Sequence, residues 1–331
     1  MADSGPSLGK RARAIARVAR GVPGNLPVPN PLERRTLGKA VRGKVVLITG
    51  ASSGIGRALA LKVGEAGGSV LLVSRTKENL DEVADEIRSL GGEAHVHPAD
   101  LSKLDEVARL ADEVLAEHGK VDILVNNAGR SIRRSIELSY DRMHDFERTI
   151  ELNYLGPVQL VLKLLPGMRE RQSGQIVNVS TMGVQTNVPR FSAYVASKAA
   201  MDAFSRSIAS EIVDDRVAIS TVYMPLVRTP MIAPTDHYRY FPALSPEEAT
   251  EMVADAIVSR NKKQSTVTGR LAEVSYATVP RVQDAIVNAG FKLFPDSRSA
   301  TKPEAGEEKA EADEGSVEQK AFARATRGVH W

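Results

Sequence analysis

The chain alternates short apolar runs with longer amphipathic stretches. Val45-Val46-Leu47-Ile48-Thr49 is a continuous apolar run that stops at glycine, as a strand buried on both faces does. Ser69 to Ser74, Ala94 to His97, Val121 to Val125, Gln175 to Val179 and Val217 to Tyr223 are further β-rich runs. Helical spacing separates them, from Ile55 to Ala66, from Lys77 to Leu90, and through 103–118, 139–172, 192–214 and 246–260. Regular alternation of this kind predicts an α/β fold, a doubly wound parallel sheet flanked by helices. Ligands of such sheets bind beyond the carboxyl ends of the strands, so the residues that follow each run carry the candidate chemistry.

Both ends depart from the pattern. Residues 1–40 read as a basic, proline-rich arm, with Pro23, Pro27, Pro29 and Pro31 enforcing extended backbone. Within it, Lys10, Arg13, Arg17 and Arg20 share one helical face, and Leu8, Ala12, Ile15, Ala19 and Val22 the other. This is either an interfacial helix for anionic lipid or an arm that packs on protein or stays disordered. Residues 41–262 hold the alternating domain. Residues 263–300 form an apolar extension whose strongest members are Ile286, Phe291, Leu293 and Phe294, placed to complete a pocket or meet a membrane. Residues 301–331 are an acidic linker and a tail ending in Trp331, the one tryptophan, expected to dock back as a short helix.

Composition removes several classes. The formal net charge of +3 is too small to argue for nucleic acid, and no DNA-binding motif is present. The chain has no cysteine, which excludes disulfides, thiolate metal sites and cysteine nucleophiles. Its six histidines (95, 97, 118, 144, 237 and 330) share no ligand spacing, so no metal site is expected. No apolar run is long enough to span a bilayer and no signal-peptide pattern opens the chain. The expected location is the cytoplasm, with peripheral contact at the inner membrane surface left open.

Thr49-Gly50-Ala51-Ser52-Ser53-Gly54-Ile55-Gly56 joins the first strand to its helix. Glycines there let backbone approach a pyrophosphate, and the helix N-terminus faces the anion. The second strand ends in Ser74-Arg75-Thr76, without the acidic residue that holds ribose hydroxyls in NAD enzymes. Arg75 suits a 2′-phosphate and so favours NADPH; the alternative is a solvent-facing strand-end arginine. Asp100-Leu101 follows the third strand, to address the adenine or to cap a helix. Asn126-Asn127-Ala128-Gly129 follows the fourth, as a cofactor border or a simple turn.

Tyr194 and Lys198 lie four residues apart, with Ser180 fourteen residues upstream. On a helix that spacing puts both side chains on one face, where an ammonium would ease loss of the phenol proton. Asn153 precedes Pro157, which has no N–H for the Asn153 carbonyl, so that carbonyl is freed and the helix kinks there.

Together these motifs resemble the short-chain dehydrogenase/reductase superfamily, over about Gly43 to Arg260. The segments NAGRSIRR (127–134), HDFERT (144–149), RFSAYVASKAAMDAFSR (190–206), MPLVRTPMIAP (224–234) and LSPEEA (244–249) are similar to bacterial fatty acyl-CoA reductases that supply aldehyde for wax esters. The resemblance implies a Rossmann-type sheet of about seven strands and a homo-oligomer. It implies Tyr194 as general acid/base, Ser180 as hydrogen-bond donor to the substrate oxygen, and Lys198 on the nicotinamide ribose. Asn153 would hold a relay water. Cofactor contacts carried over are Gly50, Ser52, Ser53, Gly54, Ile55, Gly56, Arg75, Asp100, Leu101, Asn127, Ala128, Gly129, Tyr194, Lys198, Val227 and Thr229. The wider superfamily commonly has Pro-Gly where this chain has Pro225-Leu226, which narrows or greases the pocket.

The implied reaction is NADPH-dependent reduction of long-chain acyl-CoA to aldehyde. Without cysteine it must proceed by direct hydride addition to the thioester. Arg133, Arg134 and Arg190, with Arg130 and Arg228, are candidates for coenzyme A phosphates or else form a salt-bridged rim. Met182 and Leu226 are candidates for the acyl slot, or ordinary lid packing. Two other readings stay open: a carbonyl reductase or alcohol dehydrogenase on a lipid, steroid or small ketone, and a nucleotide sensor without chemistry.

Overall fold

The structure, a computed structural model, describes residues 36–232, 235, 238, 241–296, 316–326, 328 and 329. The basic arm up to residue 35, the acidic linker 301–315, His330 and Trp331 lie outside the described residues.

Seven parallel strands form one sheet in the order β3-β2-β1-β4-β5-β6-β7. They are β1 (Val45–Thr49), β2 (Ser69–Ser74), β3 (Glu93–Pro98), β4 (Ile123–Asn126), β5 (Gly174–Thr181), β6 (Val217–Met224) and β7 (Lys263–Ser265). The order reverses between β1 and β4, and the cleft opens at that switch point. Successive side chains point to opposite faces, so each central strand feeds two cores. Val46 and Ile48 join Leu59, Val63, Val253 and Ile257 on one face. Leu47 joins Leu110, Val114, Leu160 and Leu164 on the other. All eight residues of β5 are buried, as expected of a central parallel strand.

The sheet extends past residue 262. Lys263-Gln264-Ser265 is polar, and pairs as an edge strand with Thr221 to Tyr223. Helices Val267–Thr278 and Pro280–Leu293 follow it, and a further helix, Val317–Ala325, starts with a capping box at Ser316 and Gln319.

The helical stretch over 139–172, expected to kink near Asn153, is interrupted there. It contains a helix at Met143–Ile150, one wider turn at Glu151–Leu155 and a helix at Gly156–Glu170. In the wide turn the Gly156 N–H bonds to the Glu151 carbonyl, an i to i+5 spacing. It lies just before Pro157, where the usual donor is missing.

A third apolar cluster sits at one end of the sheet. Phe191, Tyr194, Leu226, Tyr238, Phe241 and Phe294 meet there with Ala323 and Val329 from the tail. The described part of the tail thus packs against this cluster, beside Leu226. The Leu226 N–H donates to the Gly328 carbonyl at 3.2 Å.

Candidate active site

The strand ends supply the parts in turn. After β1 the glycine turn curls against the loop after β4. Gly50 has φ +67°, and a Cβ on it would lie 2.9 Å from the Ala128 Cα. A Cβ on Gly56 would lie 2.2 Å from the Gly50 carbonyl oxygen. Only glycine allows both contacts. Ser53 begins helix Gly54–Glu65 without a side-chain capping bond. The first-turn N–H groups therefore stay available to an anion.

Asn127 ties the two loops together. Its side-chain amide donates to the Thr49 carbonyl at 2.9 Å, while its own N–H and that of Ala128 donate to Thr49 Oγ1 at 2.9 and 3.0 Å. Sequence reasoning named Asn127 and placed Thr49 at the head of the glycine turn, but gave its hydroxyl no role.

A cleft of about 750 Å³ runs along these ends. Ser52, Ser53, Gly54, Ile55, Arg75, Asp100, Leu101, Ala128, Gly129, Val227 and Thr229 all line it, together with Ser180, Tyr194 and Lys198. Arg75 is exposed at its lip. Asp100 beside it is held by a turn, Ser102 donating to Oδ1 through N–H at 3.0 Å and Oγ at 2.8 Å. Burial pushes the Asp100 carboxyl up, but those bonds and the Arg75 charge outweigh it and hold it low.

The catalytic candidates come from β5 and helix Ser192–Glu211. Tyr194 is buried, and desolvation pushes its phenol up to about 12, against a hydrogen bond to the Thr181 side chain. Lys198 is buried as well, and desolvation pulls its ammonium down to about 8. Its Nζ donates to the Val179 carbonyl at 2.8 Å. Burial is the larger influence on the phenol, and the Thr181 side chain, which the sequence reading missed, is its hydrogen-bond partner.

Ser180 Oγ is buried and has no hydrogen-bond partner among the described residues. A buried hydroxyl left unpaired is costly, and this one lies in the cleft beside Tyr194. Asn153 is committed to structure. Its Oδ1 accepts from the Arg130 N–H at 2.8 Å, and its Nδ2 donates to the Arg130 carbonyl and to Ser197 Oγ, both at 2.9 Å. A cavity of about 10 Å³, bounded by Asn153, Pro157, Ser180 and Lys198, lies behind the relay. That is about one water molecule in size.

A second cavity of about 260 Å³ adjoins Tyr194. Phe191, Leu226, Ile232 and Tyr238 supply its apolar wall, and Arg133, Arg134 and Asp145 its polar side. Leu226 thus lines it as expected. Met182 does not: its sulfur accepts from Thr266 Oγ1 at 3.2 Å and packs under Gly328. The acyl-slot expectation for Met182 is corrected on that ground.

The arginines are tied to the protein's own groups, while Arg133 and Arg134 also line the second cavity. Arg133 is buried and donates to the Pro295 carbonyl at 2.8 Å. Arg190 pairs with Asp296 at 3.2 Å, donates to the Phe291 carbonyl at 3.1 Å and covers the Phe291 ring. Arg134 pairs with Asp145 at 3.2 Å. Buried and internally paired, Arg133 and Arg190 fasten the C-terminal extension. Arg130 lines the cleft itself.

A switch-point cleft with an uncapped helix N-terminus, and a buried Ser–Tyr–Lys group beside it, define a dinucleotide-dependent oxidoreductase. The short chain dehydrogenase family profile matches residues 44–239, and the chain belongs to that family. It is 55% identical over 303 residues to an uncharacterized oxidoreductase of Mycobacterium tuberculosis, covering 91% of this chain and 88% of that one. It is 50% identical over 291 residues to a fatty acyl-CoA reductase of Acinetobacter baylyi, covering 88% of this chain and 96% of that one. A metagenomic short-chain oxidoreductase solved in complex with NADP superposes with a TM-score of 0.59 at 32% identity, over 69% of this chain and 97% of that one.

Proposed function

We propose that the protein reduces long-chain fatty acyl-CoA to fatty aldehyde with NADPH. The carrying observation is the position of Tyr194, which lines both the 750 Å³ cofactor cleft and the 260 Å³ cavity walled by Phe191, Leu226 and Tyr238. A thioester carbonyl at that junction meets Tyr194 and Ser180 together, with its apolar chain in the second cavity. The likeness to the Acinetobacter baylyi enzyme supports this substrate class. Arg75 at the cleft lip supports the phosphorylated cofactor.

When bound, the nicotinamide supplies the hydride. Ser180 Oγ hydrogen-bonds the carbonyl oxygen, and Tyr194 gives that oxygen its proton as negative charge develops. The C–S bond of the resulting hemithioacetal breaks, the hydroxyl proton leaves to the sulfur, and aldehyde and coenzyme A thiol separate. No acyl-enzyme thioester forms, because the chain has no cysteine. Lys198 Nζ and Asn153 bound the small rear cavity and connect Tyr194 to a proton source. The protein acts in the cytoplasm as a homo-oligomer, in peripheral contact with lipid through exposed Val267, Leu271, Val274, Val282 and Ile286. Among the described residues, no helix is long and apolar enough to cross a membrane.

The test is purified protein with palmitoyl-CoA and NADPH, following NADPH oxidation and free thiol together. Equal rates of both are expected. NADPH oxidation without thiol release would replace the thioester with a ketone or aldehyde as substrate. Tyr194→Phe is expected to lower kcat at least ~10²-fold while keeping NADPH binding, since a general acid contributes 10²–10⁴.

A further inference from the structure

The six histidines share no ligand spacing along the chain, but the fold brings three of them together. β3 is an edge strand, and its alternation puts His95 and His97 on one face, opposite Leu71 and Val73 of β2. That face packs against helix Leu104–His118, which ends at His118. His97 Nε2 lies 3.2 Å from His118 Nε2. Glu117 Oε1 lies 3.6 Å from His118 Nε2 and 3.9 Å from His95 Nδ1. The ligand atoms of His95, Glu117 and His118 all fall within 4.8 Å of one another.

Two nitrogens on a tetrahedral zinc, each about 2.0–2.1 Å from it, stand about 3.3 Å apart. The His97–His118 separation already has that value. Glu93 holds His95 from behind, its Oε1 2.9 Å from His95 Nε2, which puts the proton there and turns the Nδ1 lone pair toward Glu117. We propose that His95, Glu117 and His118 form a binding site for one divalent transition-metal cation suited to zinc, with His97, 3.2 Å from His118, as the neighbour that can join as a fourth ligand. None of the four lines the cofactor cleft. The cation fastens the exposed edge strand to the end of its helix, so its role is structural. Burial lowers the basicity of both His97 and His118, and neutral imidazole is the ligand form. Glu117 sits at the helix end and is largely exposed, so it can close the remaining ångström.

The experiment is calorimetric titration of tag-free, chelator-stripped, full-length protein with Zn²⁺, with thermal melting in parallel. Saturable binding of one zinc per chain and a raised Tm are expected. Co²⁺ should give the visible absorption of a four-coordinate ion. The chain has no thiols to compete for either metal. His118→Gln and Glu117→Gln should each weaken binding at least ~10-fold, as loss of a ligand or its support does, while His144→Gln should not. Glu117 is exposed, so its variant keeps the test open if His118→Gln fails to fold. No saturable binding, or unchanged affinity in Glu117→Gln and in any folded His118→Gln, would overturn the proposal and leave His97 and His118 as a hydrogen-bonded pair.

Discussion

Arg190 and Asp296 join two segments beside the cavity next to Tyr194 across a gap of more than a hundred residues. In their 3.2 Å ion pair Arg190 is buried and Asp296 half-buried, and Asp296 also accepts the Ser135 N–H at 2.9 Å. One carboxylate thus holds the loop after β4, the segment before Tyr194 and the C-terminal extension in register. Removing Asp296 leaves the buried Arg190 charge uncompensated, at a cost of about 3–5 kcal/mol. Asp296→Ala should lower the urea midpoint accordingly. It should also raise KM for palmitoyl-CoA more than it weakens NADPH binding, because neither residue lines the cofactor cleft.

Lys198 gives a pH signature. Its amine titrates at about 8 in the folded chain and near 10.5 unfolded. Between those values the unfolded state binds more protons, so stability rises with pH. Below pH 8 the full cost of burying the charge is present; above that it is progressively relieved. Tyr194 acts oppositely but only above pH 10, since its folded value is raised to about 12. The clean window is therefore pH 8 to 10. Unfolding free energies there should climb by up to ~2–3 kcal/mol, from 1.36 kcal/mol per pH unit. Lys198→Met should flatten that climb; an unchanged slope would mean that another group titrates.

The parts that local chemistry dictates were legible in the sequence. β1, β2 and β5 announce themselves because strands buried on both faces need continuous apolar runs. The glycine turn and the Tyr194–Lys198 spacing are short-range geometry. What escaped depends on long-range contacts. Lys263-Gln264-Ser265 pairs as β7 by backbone alone, and its polar side chains give no strand signal. Arg133 and Arg190 look like surface cations until Pro295 and Asp296 come back to cover them. Met182 looks like pocket lining until Gly328 settles on it. His95, His97 and His118 meet only when the edge strand is laid on its helix. Pro157 did signal a disturbed helix, and the wide turn at Glu151–Leu155 is where it is absorbed.

Cofactor preference should rest on Arg75. It is exposed at the cleft lip, close enough to Asp100 for its charge to act on that carboxyl. A charge-assisted bond to phosphate contributes about 1.5–3 kcal/mol, or roughly 10- to 150-fold. Arg75→Ala should therefore raise KM for NADPH at least ~10-fold and leave KM for NADH nearly unchanged. Equal losses for both cofactors would assign Arg75 a packing role.

The tail should matter to the acyl chain and not to the nucleotide. Ala323 and Val329 are buried against Phe294 and Leu226. Gln319 Nε2 donates to the Leu293 carbonyl at 2.7 Å, and Gly328 accepts the Leu226 N–H at 3.2 Å. Ending the chain at residue 315 strips that cover from Leu226. Burying two or three apolar side chains contributes about 1.5–3 kcal/mol each, so a stability loss of ~3–9 kcal/mol is expected. Leu226 would then move into the space left by Gly328, widening a cavity whose wall it forms. KM for palmitoyl-CoA should rise more than KM for a short-chain acyl-CoA, because only the longer chain reaches that wall. NADPH affinity should hold, since none of the described tail residues lines the cofactor cleft. A truncated protein that loses NADPH binding in proportion would show that the tail supports the fold as a whole, without a specific part in the acyl pocket.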